Sequence, residues 1–248
     1  MAARRIAGAG RTRHLRLALL EAIPGLAHGF TVRGSDPTEA IRAAASRPLP
    51  LATLRQVHGA DVRFLREGER HFGEEAGRPQ GDALLTRRDD TAVGVATADC
   101  VPILIADPRS RWLAAVHAGW RGTAAGVLGE AIAALAGAGA PPADLHVGFG
   151  PAIGPCCFEV GDEVLEALRR ADPGADAFIL RGQPRSRVDL VEANRRQAIA
   201  AGVPADRIAA VGLCTVCEQD LLESFRRSGG APGRMIAFAA WRGVPPSC

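Results

Sequence analysis

Three residues in this sequence carry the chemistry of a metal centre or of a nucleophile: His58, Cys100 and His117. Cys100 stands just before the apolar run Val101–Ala106, and His117 closes the run Trp112–His117. A thiol and an imidazole therefore lie at the ends of neighbouring predicted strands. His58 closes a third predicted strand, Leu51–His58. One thiolate and two imidazoles suit zinc, and three protein ligands leave a fourth position for water or substrate. The separations of 42 and 17 residues match no linear zinc motif, so only the fold can bring the three together. Two other readings use the same atoms. A cysteine beside a histidine is activated as a thiolate–imidazolium pair, with Asp99 or another acid orienting the imidazole. Alternatively, all three are satisfied core side chains with no chemistry.

Other stretches offer weaker signals. Gly119-Trp120-Arg121-Gly122-Thr123 opens a predicted helix directly after His117, where free backbone N–H groups and Arg121 would favour an anion. Gly148–Gly154 follows a strand and is glycine-rich, but its spacing is wrong for a dinucleotide loop and Pro151 and Pro155 interrupt it. Cys214-x-x-Cys217 is a lone pair; Glu218 rather than His follows, which excludes haem attachment. With Cys156 and Cys157 it would complete a four-thiolate zinc site, although adjacent cysteines are an unusual ligand pair, and buried structural thiols are the expectation. Ser224-Phe225-Arg226-Arg227 precedes a glycine-rich loop and offers arginines to an anion.

Composition limits the chemistry further. The chain of 248 residues contains no Lys and no Tyr. Schiff-base lysine chemistry, a phosphate-loop lysine and a tyrosine acid are all excluded. The net charge is +3, yet Arg4, Arg5, Arg11, Arg13 and Arg16 precede the first acid, Glu21, so the remaining chain is slightly acidic. That balance speaks against a nucleic-acid partner. No apolar run is long enough to span a bilayer and no signal peptide is evident. A cytoplasmic protein with no membrane partner is expected, and its six cysteines are not expected to form a disulfide framework.

The elements that would position these residues follow from hydrophobic period and turn signals. Residues 1–16 read as a basic disordered tail, leaving one domain over residues 17–248. Strands are expected at His28–Val32, Leu51–His58, Asp61–Leu65, Asp82–Thr86, Ala92–Ala98, Val101–Ala106, Trp112–His117, Asp144–Phe149, Ile208–Leu213 and Arg234–Trp241. The second and third form a hairpin on this reading, and Arg66–Gly81 an exposed loop. Helices are expected at Thr123–Leu135, Val164–Arg170 and Asp189–Ala201, the last capped by Asp189 with Glu192 completing a capping box. Clustered strands with few helices between them argue for mixed sheets with helices packed outside.

Several of these pieces together resemble the YfiH/laccase-domain family, whose members are described as polyphenol oxidases or purine nucleoside phosphorylases. The matching segments are Gln56-Val57-His58-Gly59, Gly81-Asp82-Ala83, Thr97–Pro102, Val116–Thr123, Gly150–Gly154, Phe158–Gly161, Asp189-Leu190, Cys214-Thr215 and Ser224-Phe225-Arg226. The resemblance implies an α/β/β/α sandwich with mixed β-sheets, and the convergence of His58, Cys100 and His117 on zinc, with copper as the competing ion. It implies phosphorolysis of adenosine, inosine and methylthioadenosine, with adenosine deamination as a second activity. Purine nucleosides and phosphate would be the partners of a monomer or homodimer. Arg33, Gln56, Asp99, Arg121 and Arg226 are the candidate substrate contacts. Two rival activities accompany the resemblance: a Cys–His hydrolase acting on a peptidoglycan precursor, and copper-dependent phenol oxidation, for which two histidines and one cysteine are too few ligands. Phe158 and Phe225 stand where relatives more often carry Tyr.

Overall fold

The computed structural model describes residues 4–69, 77–230 and 233–242. The chain begins with strands β1 (Arg4–Ala7) and β2 (His14–Leu17), a short helix α1 (Ala18–Glu21), β3 (Leu26–Thr31) and helix α2 (Pro37–Ala45). Six strands follow: β4 (Leu51–Ala52), β5 (Val62–Leu65), β6 (Ala83–Thr86), β7 (Ala92–Thr97), β8 (Val101–Ala106) and β9 (Leu113–Ala118). Helices α3 (Trp120–Ala124) and α4 (Val127–Gly137) lead to β10 (His146–Phe149) and helix α5 (Asp162–Ala171). The last third holds β11 (Ile179–Leu180), β12 (Arg187–Val188), α6 (Leu190–Ala200), β13 (Ile208–Ala210), α7 (Phe225–Ser228) and β14 (Met235–Trp241).

Two six-stranded mixed sheets, ordered β1-β2-β3-β14-β7-β4 and β13-β10-β8-β9-β6-β5, make the body. Their inner faces bury one shared core, in which Leu15, Leu17, Phe30 and Val95 of the first sheet meet Leu84, Leu104, Leu113 and Ala115 of the second. Helix α2 covers the outer face of the first sheet through Ala40, Ile41, Ala44 and Ala45. Helices α4, α5 and α6 cover the outer face of the second. The layers are therefore α/β/β/α, as expected. Strands β8 and β9 lie buried along their whole length between apolar layers, which explains their unbroken hydrophobic runs.

Three expectations change. Arg4–Ala7 and His14–Leu17, all but Leu17 within the expected tail, pair as β1 and β2 at the edge of the first sheet. The alternation His14-Leu15-Arg16-Leu17 sends both leucines into the core, where each contributes about 1.5–3 kcal/mol of burial. Residues 51–65 form no hairpin: β4 pairs with β7 in one sheet, and β5 pairs in parallel with β6 in the other. Only Leu51 and Ala52 of the expected strand Leu51–His58 are extended into a sheet. The predicted helix Thr123–Leu135 breaks in two at Gly126, whose φ of +78° is left-handed. Residues 70–76 of the expected Arg66–Gly81 loop lie outside the described residues. Asp189 caps α6 by accepting the Glu192 N–H at 3.0 Å.

His28 gives the fold an acid limit. It is buried on β3, and its Nε2 accepts the Leu17 N–H at 3.0 Å. A protonated Nε2 would place donor against donor. Burial, reinforced by repulsion from Arg16, His14 and Arg242, lowers its pKa from 6.5 to about 3. The unfolded chain thus takes up this proton first. Stability is full above pH 6.5 and declines as pH falls towards 3, by at most about 1.4 kcal/mol per pH unit from this group. Urea midpoints between pH 6.5 and 5 should therefore fall more steeply for the wild type than for His28→Gln. Parallel profiles would refute the assignment.

Candidate functional site

The site is built at one end of three adjacent strands, β8, β9 and β6. His117 is the fifth residue of β9 and opposes Pro102 of β8. Cys100 immediately precedes β8, and Asp82 immediately precedes β6. The His117 N–H donates to the Asp82 carbonyl at 2.7 Å, extending the β6–β9 ladder to this end. His58 arrives from the loop between β4 and β5, with a left-handed φ of 60°.

Asp82 is what holds that loop. Its carboxylate is fully buried and accepts the backbone N–H groups of Val57 (3.2 Å), His58 (3.0 Å) and Gly59 (2.8 Å). It also accepts Nδ1–H of His117 at 2.8 Å. Burial pushes the Asp82 carboxyl up, but His117 and the Gly59 and Val57 N–H groups outweigh it and leave the pKa below the usual carboxylate value. One carboxylate thus sets the loop conformation and the imidazole tautomer together. It leaves Nε2 of His117 as the ring atom for a ligand or for Cys100, the arrangement by which carboxylates orient metal-binding histidines.

The ligand atoms of His58, Cys100 and His117 all lie within 4.8 Å of one another. The two imidazoles meet edge to face, with centroids 4.8 Å apart at 85°. His117 is buried, Cys100 half-buried and His58 exposed, so the group opens to solvent on the His58 side. Burial would raise the Cys100 thiol, but contact with His117 and His58 brings it down to about 6. Burial would lower His117, but Asp82 and Cys100 raise it to about 9. Between those values the pair is thiolate and imidazolium. Gly119 closes the back of the site: a Cβ there would stand 2.9 Å from Cys100 Sγ and 3.2 Å from His58 Cδ2.

The other candidates separate. Asp99 does not orient His117; its carboxylate accepts the Thr215 hydroxyl at 2.5 Å and the Arg226 N–H at 2.7 Å. Gln56 pairs with the main chain of Ala96 on β7 through both ends of its amide, each at 2.8 Å. It thereby anchors the His58 loop to the first sheet. Arg33 is matched by Glu223 at 3.1 Å. The Arg226 guanidinium binds the carbonyls of Cys157 and Glu159 at 3.3 and 3.2 Å. Arg121 is exposed and stacks over Trp120 at 4.2 Å. Helix α3 is only five residues long, so the anion-binding argument rests on Arg121 and not on a helix dipole. Phe225 is exposed beside Arg226, and Phe158 is half-buried under it.

The second motif also changes. Cys156, Cys157, Cys214 and Cys217 come together, with sulfur atoms within 4.8 Å of one another. Cys156 and Cys217 are exposed, so these are not buried structural thiols. Sequence reasoning named Asp82 only within the segment Gly81-Asp82-Ala83 and assigned it no role; its place between a glycine and the apolar run Ala83–Leu85 hints at burial but not at what it binds. Among the described residues no helix is long and apolar enough to cross a membrane.

Residues 36–242 match the family described as multi-copper polyphenol oxidoreductase laccase. The chain is 37% identical over 230 residues to the purine nucleoside phosphorylase YlmD of Geobacillus stearothermophilus, covering 84% of this chain and 81% of that one. It is also 37% identical over 189 residues to a protein named adenosine deaminase RL5, from an unknown prokaryotic organism, covering 74% and 72%. The solved structure of YlmD from Geobacillus stearothermophilus superposes with a TM-score of 0.83 at 32% identity, covering 96% of this chain and 98% of that one.

Proposed function

This chain belongs to the multi-copper polyphenol oxidoreductase laccase family, and from that premise we propose that it is a zinc-dependent purine nucleoside phosphorylase with adenosine deaminase activity. The observation that carries the reading is the convergence of His58, Cys100 and His117 on one solvent-open point, fixed from behind by Asp82. The names of the relatives, purine nucleoside phosphorylase and adenosine deaminase, support the substrate class.

The donor set fits zinc: two imidazoles and a thiol already favoured as thiolate, with His117 Nδ1 engaged by Asp82. Zinc held by His58, Cys100 and His117 would supply Lewis acidity next to the bound nucleoside. The chain's own residues do the rest. Asp82 keeps His117 in one tautomer and His58 in its left-handed turn. Arg121, exposed and four residues beyond His117, is our candidate cation for phosphate. Phe225, exposed on α7, offers an aromatic face to a purine ring. In phosphorolysis a phosphate oxygen bonds to C1′ of the ribose, the bond from C1′ to the base nitrogen breaks, and the base leaves with a proton.

The contact between Cys100 and His117, which lowers the thiol and raises the imidazole, supports one second reading, a Cys100–His117 hydrolase acting on a peptidoglycan precursor. Copper-dependent phenol oxidation is the weakest. Among the described residues the other clustered donor set is four thiols, not the additional histidines a coupled copper centre would use. The test is to incubate the purified, zinc-loaded protein with adenosine, inosine and methylthioadenosine, with and without phosphate. Free base formed only with phosphate, and inosine formed from adenosine, are the expected results. Silence on all three nucleosides, together with cleavage of a muropeptide precursor, would overturn the proposal.

A further inference from the structure

Four of the five cysteines other than Cys100 sit on two loops that the fold brings together from positions 57 or more residues apart. Cys156 and Cys157 lie in the turn after Gly154, where the Cys157 and Phe158 N–H groups both donate to the Gly154 carbonyl at 2.9 Å. Cys214 and Cys217 lie in a second turn, closed by the Glu218 N–H on the Cys214 carbonyl at 3.0 Å. Parallel pairing of Ala152 with Cys214 sets the two turns side by side. Cys217 Sγ is then 3.6 Å from Cys156 Sγ and 3.5 Å from Cys157 Sγ.

These separations are too long for a disulfide, whose sulfurs lie about 2.05 Å apart. Four sulfurs held tetrahedrally at about 2.3 Å from a zinc ion would stand about 3.8 Å from one another. A tetrathiolate zinc centre carries two negative charges, and this neighbourhood is cationic. Arg187 binds the Cys156 carbonyl at 3.4 Å, Arg226 the Cys157 carbonyl at 3.3 Å, and Arg227 the Thr215 and Val216 carbonyls at 2.6 and 3.0 Å. Three guanidinium groups therefore gird the two turns.

We propose that Cys156, Cys157, Cys214 and Cys217 bind a second zinc ion, a structural one, that clamps these turns behind the His58–Cys100–His117 site. All four positions would be filled by protein, the mark of a structural rather than a catalytic zinc. The clamp reaches the site through Asp99, whose backbone is left-handed at a φ of 93°. Its carbonyl accepts the Ile153 N–H at 2.9 Å, and its carboxylate accepts Thr215 and Arg226. Both turns thus hold the residue that precedes Cys100. The inference does not depend on the reaction the first site performs.

The experiment is zinc analysis of the full chain, purified under reducing conditions with zinc present, in the wild type and in the His58→Ala/His117→Ala variant. The variant should keep about one zinc ion per chain, and Cys156→Ser/Cys217→Ser should lose that ion in the same background. Chelation should lower the Tm of the His58→Ala/His117→Ala protein. A folded His58→Ala/His117→Ala protein that binds no zinc overturns the proposal. Cobalt substitution of the wild type needs no variant: strong thiolate-to-metal charge transfer with tetrathiolate d–d bands is expected. A spectrum showing only a site with one sulfur overturns the proposal as well.

Discussion

Asp82→Asn is expected to lower kcat/KM by about 10²- to 10⁴-fold and to destabilise the protein by about 3–5 kcal/mol, although Asp82 touches no substrate. The carboxylate accepts four hydrogen bonds, from Val57, His58, Gly59 and His117. Asparagine supplies one acceptor oxygen and one NH2 donor. If its oxygen faces the Val57 and Gly59 N–H groups, its NH2 faces the His58 N–H and Nδ1 of His117. His117 must then take the other tautomer, with its proton on Nε2, the atom needed for metal or for Cys100. If the amide is turned over, the Val57 and Gly59 N–H groups face a donor, and the His58 loop loses its anchor. A buried donor without a partner costs about 1–3 kcal/mol, so both orientations are penalised. Denaturant midpoints and steady-state kinetics on the same samples check this. Wild-type kcat/KM in a folded Asp82→Asn protein would remove Asp82 from its role.

His58, Cys100 and His117 were legible as a candidate donor set because their chemistry is carried by residue type, and the fold brings their ligand atoms together. A cysteine and a histidine at the ends of the apolar runs Val101–Ala106 and Trp112–His117 fit a satisfied core equally well, and it is the strand order that places them together. The carboxylate behind them was not. Its role is written in three consecutive N–H groups of a loop, and backbone donors carry no residue signature. The same limit applies to Gln56, whose amide pairs with a strand main chain and imitates a missing strand partner. The false hairpin at residues 51–65 has a topological cause. Two short extended stretches close in sequence were sorted into different sheets because β5 finds a parallel partner in β6. For residues 4–17, the charge of Arg4, Arg5, Arg11 and Arg13 masked the alternation of Leu15 and Leu17 about Arg16. The four-cysteine grouping was readable only as an alternative to buried thiols, since one pair is adjacent in sequence and the other a lone CxxC; that the sulfurs meet shows only in space.

Replacing Cys100 should have the larger effect on activity and the smaller effect on the fold. Cys100→Ala and Cys100→Ser are both expected to lower kcat/KM by at least about 10³-fold, because each removes a thiolate that is either a metal ligand or the nucleophile. Neither variant touches the contacts of Asp82 with His117 and the His58 loop, so thermal stability of the metal-free protein should stay close to wild type. The two readings of Cys100 part at the metal. If Cys100 is a ligand, serine is a poor substitute, since its hydroxyl stays protonated at neutral pH where the thiol of Cys100, at about 6, does not. Zinc should then fall by about one equivalent per chain in both variants. If Cys100 is the nucleophile, Cys100→Ser keeps its full zinc content and still loses activity. The count is cleanest in a Cys156→Ser/Cys217→Ser background, where zinc bound by the four-cysteine cluster cannot hide a loss at the first site. Retained zinc with lost activity in Cys100→Ser would move the mechanism from metal-assisted nucleoside chemistry to covalent hydrolysis. The Asp82→Asn result would stand under either, because His117 needs the same tautomer to hold a metal or to accept a proton from a thiol.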